Sequence, residues 1–262
     1  MYVKSEILCS PHAFSTRHGG VSAQGHTASL NLAFGRGDDD GVVLENLKIF
    51  AKNVGFDAEA VVSWPQIHSD RIFTVTKENC GQGYFIREEI DSGDGYVTMD
   101  RGVVLGIKTA DCVPILFEAK KGGRVIAVGA VHAGWRGTVA GIAAKCVDRL
   151  KDMTGVDVSD ITAVIGPCIH KCCYEVSEDV YLAVKQELGA EFAHKFLIPN
   201  GKEDKYMCDL AMINRELLLN CGLDAERVDV IDECTCCLPE KYYSHRYSNG
   251  VRGTMLNVIF ME

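Results

Sequence analysis

Reactive side chains gather in three segments of the chain, each where an apolar run meets turn residues: Trp64-Pro-Gln-Ile-His-Ser-Asp70, Thr109-Ala-Asp-Cys-Val-Pro114 and Ala130-Val-His-Ala-Gly-Trp-Arg-Gly-Thr138. Loops at strand ends are where a rigid scaffold usually presents functional groups. Two imidazoles, His68 and His132, and one thiolate, Cys112, form a neutral-to-soft donor set suited to Zn²⁺, with a fourth position left for water or substrate. The same donors also accept copper. They equally suit a Cys–His dyad in which Cys112 is a nucleophile and an imidazole its base. The segments are far apart along the chain, and their spacing alone does not bring them together.

The surrounding pattern indicates what must position them. Residues 42–55 carry apolar positions at helical spacing and stop at Gly55. Residues 72–77 predict a strand. Three apolar runs follow, 103–108, 113–117 and 125–131, separated by Thr109-Ala-Asp-Cys112 and by Lys120-Lys-Gly-Gly-Arg124. Short turns and β-branched content predict adjacent strands. A helix over 138–153, a strand over 160–165, helices near 177–188 and 209–221, and strands at 227–232 and 255–261 complete the layout. Strands and helices mixed without strict alternation predict an α+β fold, with a mixed β-sheet core flanked by helices. No repeat or linker-like stretch interrupts residues 1–262, so a single compact layered domain is expected.

Composition narrows the function classes. The chain has 262 residues, a formal charge of −9 and twelve Cys. An acidic balance disfavours nucleic acid as the main partner, because phosphate backbones require a concentrated basic surface. No window approaches the roughly 18 apolar residues of a membrane span. The first residues lack the basic and long apolar regions of a secretory signal. A cytoplasmic protein with mostly reduced thiols is therefore expected, and a monomer for a chain of this size. Cys168, His170, Cys172 and Cys173 form one thiol-rich group, and Cys234, Cys236 and Cys237 another. Ordinary reduced thiols, a structural zinc and a redox pair are all open for them.

Ordered motifs extend the reading. Phe14-Ser-Thr-Arg-His-Gly-Gly-Val-Ser22 with Ser29-Leu-Asn-Leu32 resembles the opening of the laccase-domain, or multicopper polyphenol oxidase-like, family, whose members are understood as purine nucleoside phosphorylases. Gln66-Ile-His68, Asp94-Gly-Tyr-Val-Thr98, Thr109-Ala-Asp-Cys-Val-Pro114 and His132-Ala-Gly-Trp-Arg-Gly-Thr138 are similar to its next blocks. Gly166-Pro-Cys-Ile169, Cys172-Cys-Tyr-Glu-Val176 and Tyr243-Ser-His-Arg246 are similar to the closing ones. The resemblance implies one zinc held by His68, Cys112 and His132; copper can bind such ligands in vitro, because Cu²⁺ generally outcompetes Zn²⁺ for them. It also implies phosphorolysis of adenosine, inosine and 5′-methylthioadenosine, with hydrolytic deamination of adenosine. Three positions depart from the pattern: Ser69 follows the ligand His where Gly is usual, Tyr247 replaces a second Arg, and Thr254 stands where a Gly-Arg pair is typical.

Both reactions make physical sense in these residues. Phosphorolysis needs an anion held close to the anomeric carbon. The start of the helix near Gly134-Trp-Arg-Gly-Thr138, with Arg136, offers N–H groups and positive charge. Arg17 is a second candidate phosphate fork. For deamination, a metal-activated water would attack C6 of adenine, with Asp111 moving the proton; Asp111 as a turn residue is the alternative. Asn31 is a candidate for hydrogen bonding to ribose or base. The typical nucleobase-deaminase signature is missing. Copper oxidation of phenols fits poorly, because none of the eight His forms the His-x-His pairs of a trinuclear cluster.

Overall fold

Two mixed β-sheets lie face to face, and each carries helices on its outer side. The protein is seen here as a computed structural model describing residues 1–23 and 25–262. One sheet has five strands in the order Tyr2–Val3, His12–Ser15, Met255–Phe260, Val104–Thr109, Val61–Val62. The other has six, in the order Val228–Val230, Ile161–Ile165, Val113–Lys121, Arg124–Ala133, Gly95–Thr98, Ile72–Thr74. Both contain parallel and antiparallel pairs, so the α+β class and the mixed sheet read from the sequence are those of the structure.

Side-chain alternation along the strands builds the layers. Ile115 and Phe117 face the helices, while Leu116 faces the opposite sheet. Leu105, Ile107 and Ile259 meet Leu116, Val128 and Val164 between the sheets. Because both faces of Val113–Lys121 are buried, the strand reads as an unbroken apolar run. The helix Ile142–Thr154 places Ile142, Cys146, Val147 and Leu150 on the outer face of the six-stranded sheet. The helix Asp40–Val54 covers the five-stranded one through Val43, Leu47 and Phe50. It stops at Gly55, whose φ of 98° an L side chain would resist. Full burial of side chains such as Leu47 and Phe50 contributes about 1.5–3 kcal/mol each.

Three expectations change. The runs at 103–108 and 113–117 are not partners; they lie in different sheets, and Thr109–Cys112 carries the chain from one to the other. The helix expected over 138–153 is two helices, Trp135–Val139 and Ile142–Thr154, separated at Gly141 with φ 78°. The short one is held close to the loop after His68: a Cβ on Gly137 would come within 2.8 Å of the Ser69 carbonyl oxygen. A small third sheet, Glu175–Ser177, Lys205–Cys208 and Leu197–Pro199, was not anticipated, its strands being three or four residues long. Among the described residues, no helix is long and apolar enough to cross a membrane.

Candidate metal centre

Strand register explains why three distant segments meet. In the hairpin Val113–Lys121/Arg124–Ala133, Val113 pairs with Ala133 and Pro114 with His132, so Cys112 emerges beside His132. The next strand pairs Gly95 with Val131, and the His132 amide donates to the Asp94 carbonyl. The edge strand pairs Ile72 with Gly95, delivering residues 67–71 to the same end. The donor atoms of His68, Cys112 and His132 consequently lie within 4.8 Å of one another. The two imidazoles meet edge to face at 4.9 Å between ring centroids.

Asp94 holds this arrangement. It is fully buried. Its Oδ1 accepts from His132 Nδ1 at 2.8 Å and from the His68 amide at 3.0 Å. Its Oδ2 accepts from the Ser69 amide at 2.6 Å, the Ser69 hydroxyl at 2.7 Å and the Ile67 amide at 3.2 Å. Burial works against its charge, but His132 and Ser69 outweigh it and hold the carboxyl down at about 2. These bonds sustain His68 at φ 59°, a left-handed conformation uncommon for a non-glycine residue and frequent at functional sites. With Nδ1 committed to Asp94, His132 has Nε2 left for a ligand. Burial would raise the Cys112 thiol, but His132 and His68 override it and bring it down. Burial would likewise lower His132, yet Cys112 and Asp94 carry it up. Without a metal the pair is thus biased toward thiolate and imidazolium. Gly134 closes the back: a Cβ there would meet His68 Cδ2 at 3.0 Å and Cys112 Sγ at 3.5 Å.

The triad forms part of the wall between two cavities. One, of about 410 Å³, is bordered by Arg36, Arg87, Lys108 and Arg252. The other, of about 320 Å³, is bordered by Trp135, Arg136, Tyr174, His245 and Arg246. His68, Cys112 and Arg252 line both. In the first, Gln66 pins the Lys108 backbone by donating to its carbonyl at 2.8 Å and accepting from its amide at 2.7 Å. Burial, then repulsion from Arg36, pushes Lys108 down to about 8 and Arg252 down to about 10. Arg252 Nε is buried without a hydrogen-bond partner.

The other residues singled out in the sequence fall in different places. Arg136 lines the second cavity with its guanidinium 4.2 Å from the Trp135 ring. Asp111 also lines it, but its oxygens are engaged, accepting from the Thr235 hydroxyl at 2.7 Å and the Arg246 amide at 2.8 Å. Arg17 borders neither cavity; it donates to the carbonyls of Ala28, Pro239 and Gly25 and clamps the loops around it. Asn31 is fully buried, its amide group spent on Ala33, Asp38 and Thr254, and none of it reaches a cavity. In the structure Arg17 spends three of its five N–H donors on loop carbonyls, and the side-chain amide of Asn31 has both its N–H groups and its oxygen engaged. Ser69 adds a hydroxyl bond to Asp94 that Gly could not make. Thr254 accepts from Arg252 at 2.8 Å, and Tyr247 is exposed. The sequence reading missed Asp94, Arg36, Lys108 and Arg252. Asp94 opens the motif Asp94-Gly-Tyr-Val-Thr98, directly before the strand Gly95–Thr98, which is a usable signal; the three cations converge only in three dimensions.

A family model described as multi-copper polyphenol oxidoreductase laccase matches residues 11–262. The chain belongs to this family. Within it, the chain is 36% identical to purine nucleoside phosphorylase YlmD of Geobacillus stearothermophilus, over 94% of its own length and 88% of the relative's. It is 33% identical to adenosine deaminase RL5 of an unknown prokaryotic organism, over 89% and 87%. The crystal structure of the hypothetical protein YfiH of Bacillus licheniformis superposes with a TM-score of 0.89 at 33% identity, covering 96% of this chain and 92% of that one. The family thus includes proteins named for phosphorolysis and for deamination.

Proposed function

We propose that the chain is a zinc-dependent purine nucleoside phosphorylase acting on adenosine, inosine and 5′-methylthioadenosine, with adenosine deamination as a side activity. The observation that carries this reading is the cluster of Arg36, Lys108 and Arg252 beside the triad. Burial and the Arg36 charge both work against the charges on Lys108 and Arg252, and Arg252 Nε is unpartnered, which supports an anion bound among them. The donor set of His68, Cys112 and His132 fits a zinc ion: two imidazoles and a thiolate, one imidazole braced by a carboxylate through Nδ1, and an open side toward both cavities. When bound there, zinc supplies Lewis acidity at the open position.

The chain's own residues would do the rest. Arg36, Lys108 and Arg252 hold phosphate, with Arg87 at the rim. Trp135 and Tyr174 offer aromatic faces to a purine in the second cavity, and Arg136 and Arg246 supply donors to it. A nucleoside placed so that its ribose spans the shared wall presents C1′ to the phosphate. A phosphate oxygen then bonds to C1′ as the C1′–N9 bond breaks, and the electron pair leaves with the purine. Asp94 keeps a proton on His132 Nδ1 throughout. Asp111, the carboxylate bordering the second cavity, would exchange the proton required for deamination at C6. A cytoplasmic setting suits twelve free thiols.

Purified protein with phosphate and each of the three nucleosides, followed by chromatography, tests the proposal. Free purine and ribose-1-phosphate (5-methylthioribose-1-phosphate from methylthioadenosine) should form with wild type and not with Cys112→Ala. No phosphate-dependent product from any of them, with the metal confirmed present, would sink it. Equal activity in both proteins would show that the chemistry lies in another pocket.

A further inference from the structure

Outside the triad, four thiols from two distant stretches converge. Cys172 and Cys173 lie in the loop leading to the strand Glu175–Ser177, and Cys234 and Cys237 in the loop after Val228–Val230. Their sulfurs lie within 4.8 Å of one another. Cys237 Sγ is 3.5 Å from Cys172 Sγ and 3.4 Å from Cys173 Sγ. A disulfide would require about 2.05 Å. Four sulfurs around a zinc at about 2.3 Å stand roughly 3.8 Å apart along the tetrahedron's edges. The observed separations are near that figure. Cys234 and Cys237 also have the Cys-x-x-Cys spacing common in structural zinc sites.

We propose that Cys172, Cys173, Cys234 and Cys237 form a second, structural zinc site. The backbone is arranged for it. The His170 amide donates to Cys234 Sγ at 3.5 Å, and the amides of Cys236 and Cys237 turn toward the same sulfur. Amides aimed at a sulfur support a ligand thiolate. The two loops are already registered by parallel backbone pairing of Cys168 with Cys234, with the Thr235 amide donating to the Cys168 carbonyl at 3.0 Å. Zinc binding displaces the thiol protons to solvent and leaves all four sulfurs as ligands, a closed set with no position for substrate.

Such an ion would brace the second cavity. Arg246 donates from its guanidinium to the carbonyls of Cys173 at 2.9 Å and Glu175 at 2.8 Å, while its amide reaches Asp111. Tyr174 lies next to Cys173. Locking the two loops together fixes Tyr174, His245 and Arg246 on one wall. The ion is thus assigned to positioning rather than to chemistry.

Metal content tests this without reference to turnover. Full-length protein kept reduced, equilibrated with a small excess of Zn²⁺ and desalted, should carry two zinc ions per chain by mass spectrometry of the metal. Cys172→Ser/Cys237→Ser should carry one. His68→Ala/Cys112→Ala should also carry one and, after exchange to Co²⁺, show the strong thiolate charge-transfer bands of an all-sulfur site. A single zinc in wild type, lost altogether in the triad variant, overturns the proposal even if a cysteine variant fails to fold. A Cys172–Cys237 or Cys173–Cys237 disulfide in protein kept reduced overturns it too. An active enzyme with one zinc removes only this site, and an inactive one with two removes only the proposed reaction.

Discussion

Replacing Asp94 by Asn should weaken the metal centre through proton placement, with almost no change in shape. The carboxylate accepts five hydrogen bonds, two at Oδ1 and three at Oδ2. An amide has one acceptor oxygen and one NH₂, so one side must become a donor facing donors. Keeping the oxygen on the Ser69 side preserves the three bonds at Oδ2 and turns the NH₂ toward His132 Nδ1 and the His68 amide. His132 can then avoid a clash only by carrying its proton on Nε2, the atom required for a ligand. The opposite orientation sets the NH₂ against three donors and costs more. The His68 amide loses its acceptor in the favoured orientation, which costs about 1–3 kcal/mol of stability. Loss of the partner that orients a metal-binding His typically lowers metal affinity about 10–100-fold, equivalent to about 1.4–2.8 kcal/mol. Competition with a chromophoric zinc chelator at neutral pH measures the affinity, and thermal unfolding of the metal-free protein measures the stability. Zinc affinity within about twofold of wild type would refute this account of Asp94.

Lys108, pushed down to about 8 by burial, should lose its charge near that pH, so the KM for phosphate should rise above pH 8; Lys108→Gln should raise it already at pH 7 and flatten the profile. The stability effect runs the other way: between about 8 and its ordinary value near 10.4, the unfolded chain holds a proton that the folded one has lost, so this group makes the fold more stable as pH rises through that window. Denaturant titrations across the window check the sign. Gly134→Ala has an allowed backbone, φ −66° and ψ 166°, yet places a Cβ 3.0 Å from His68 Cδ2. Zinc affinity by chelator competition should fall about tenfold, with little loss of melting temperature. Asn31→Ala should cost about 2–3 kcal/mol of stability by leaving buried groups unpaired, while phosphorolysis per folded molecule stays unchanged. A loss of turnover without a loss of stability would place Asn31 back at the substrate.

What could be read from the sequence follows from the range of the interactions concerned. The helix at Asp40–Val54 and the strand Val113–Lys121 announce themselves by local periodicity and by Gly55. The runs at 103–108 and 113–117 read as adjacent strands because a short connection looks like a hairpin; nothing local says that Thr109–Cys112 crosses between two sheets. The cluster of His68, Cys112 and His132 was reachable only through motifs, since its convergence depends on the registers Pro114 to His132 and Gly95 to Val131. Arg17 and Asn31 sit in equally distinctive motifs but border neither cavity, and only the three-dimensional structure shows which carbonyls and side chains they bond. The cationic cavity could not be seen in advance. Arg36, Lys108 and Arg252 are separated by most of the chain, and the net charge of −9 points away from a phosphate site.

The most direct test is phosphorus NMR of zinc-loaded protein incubated with inosine and inorganic phosphate. If the triad and the cationic cavity work together as argued, a ribose-1-phosphate resonance grows in step with hypoxanthine, and neither forms with Cys112→Ala or in the absence of phosphate. Hypoxanthine appearing without any new phosphate ester would mean that water, and not phosphate, attacks the ribose, and the account of the cationic cavity would be wrong.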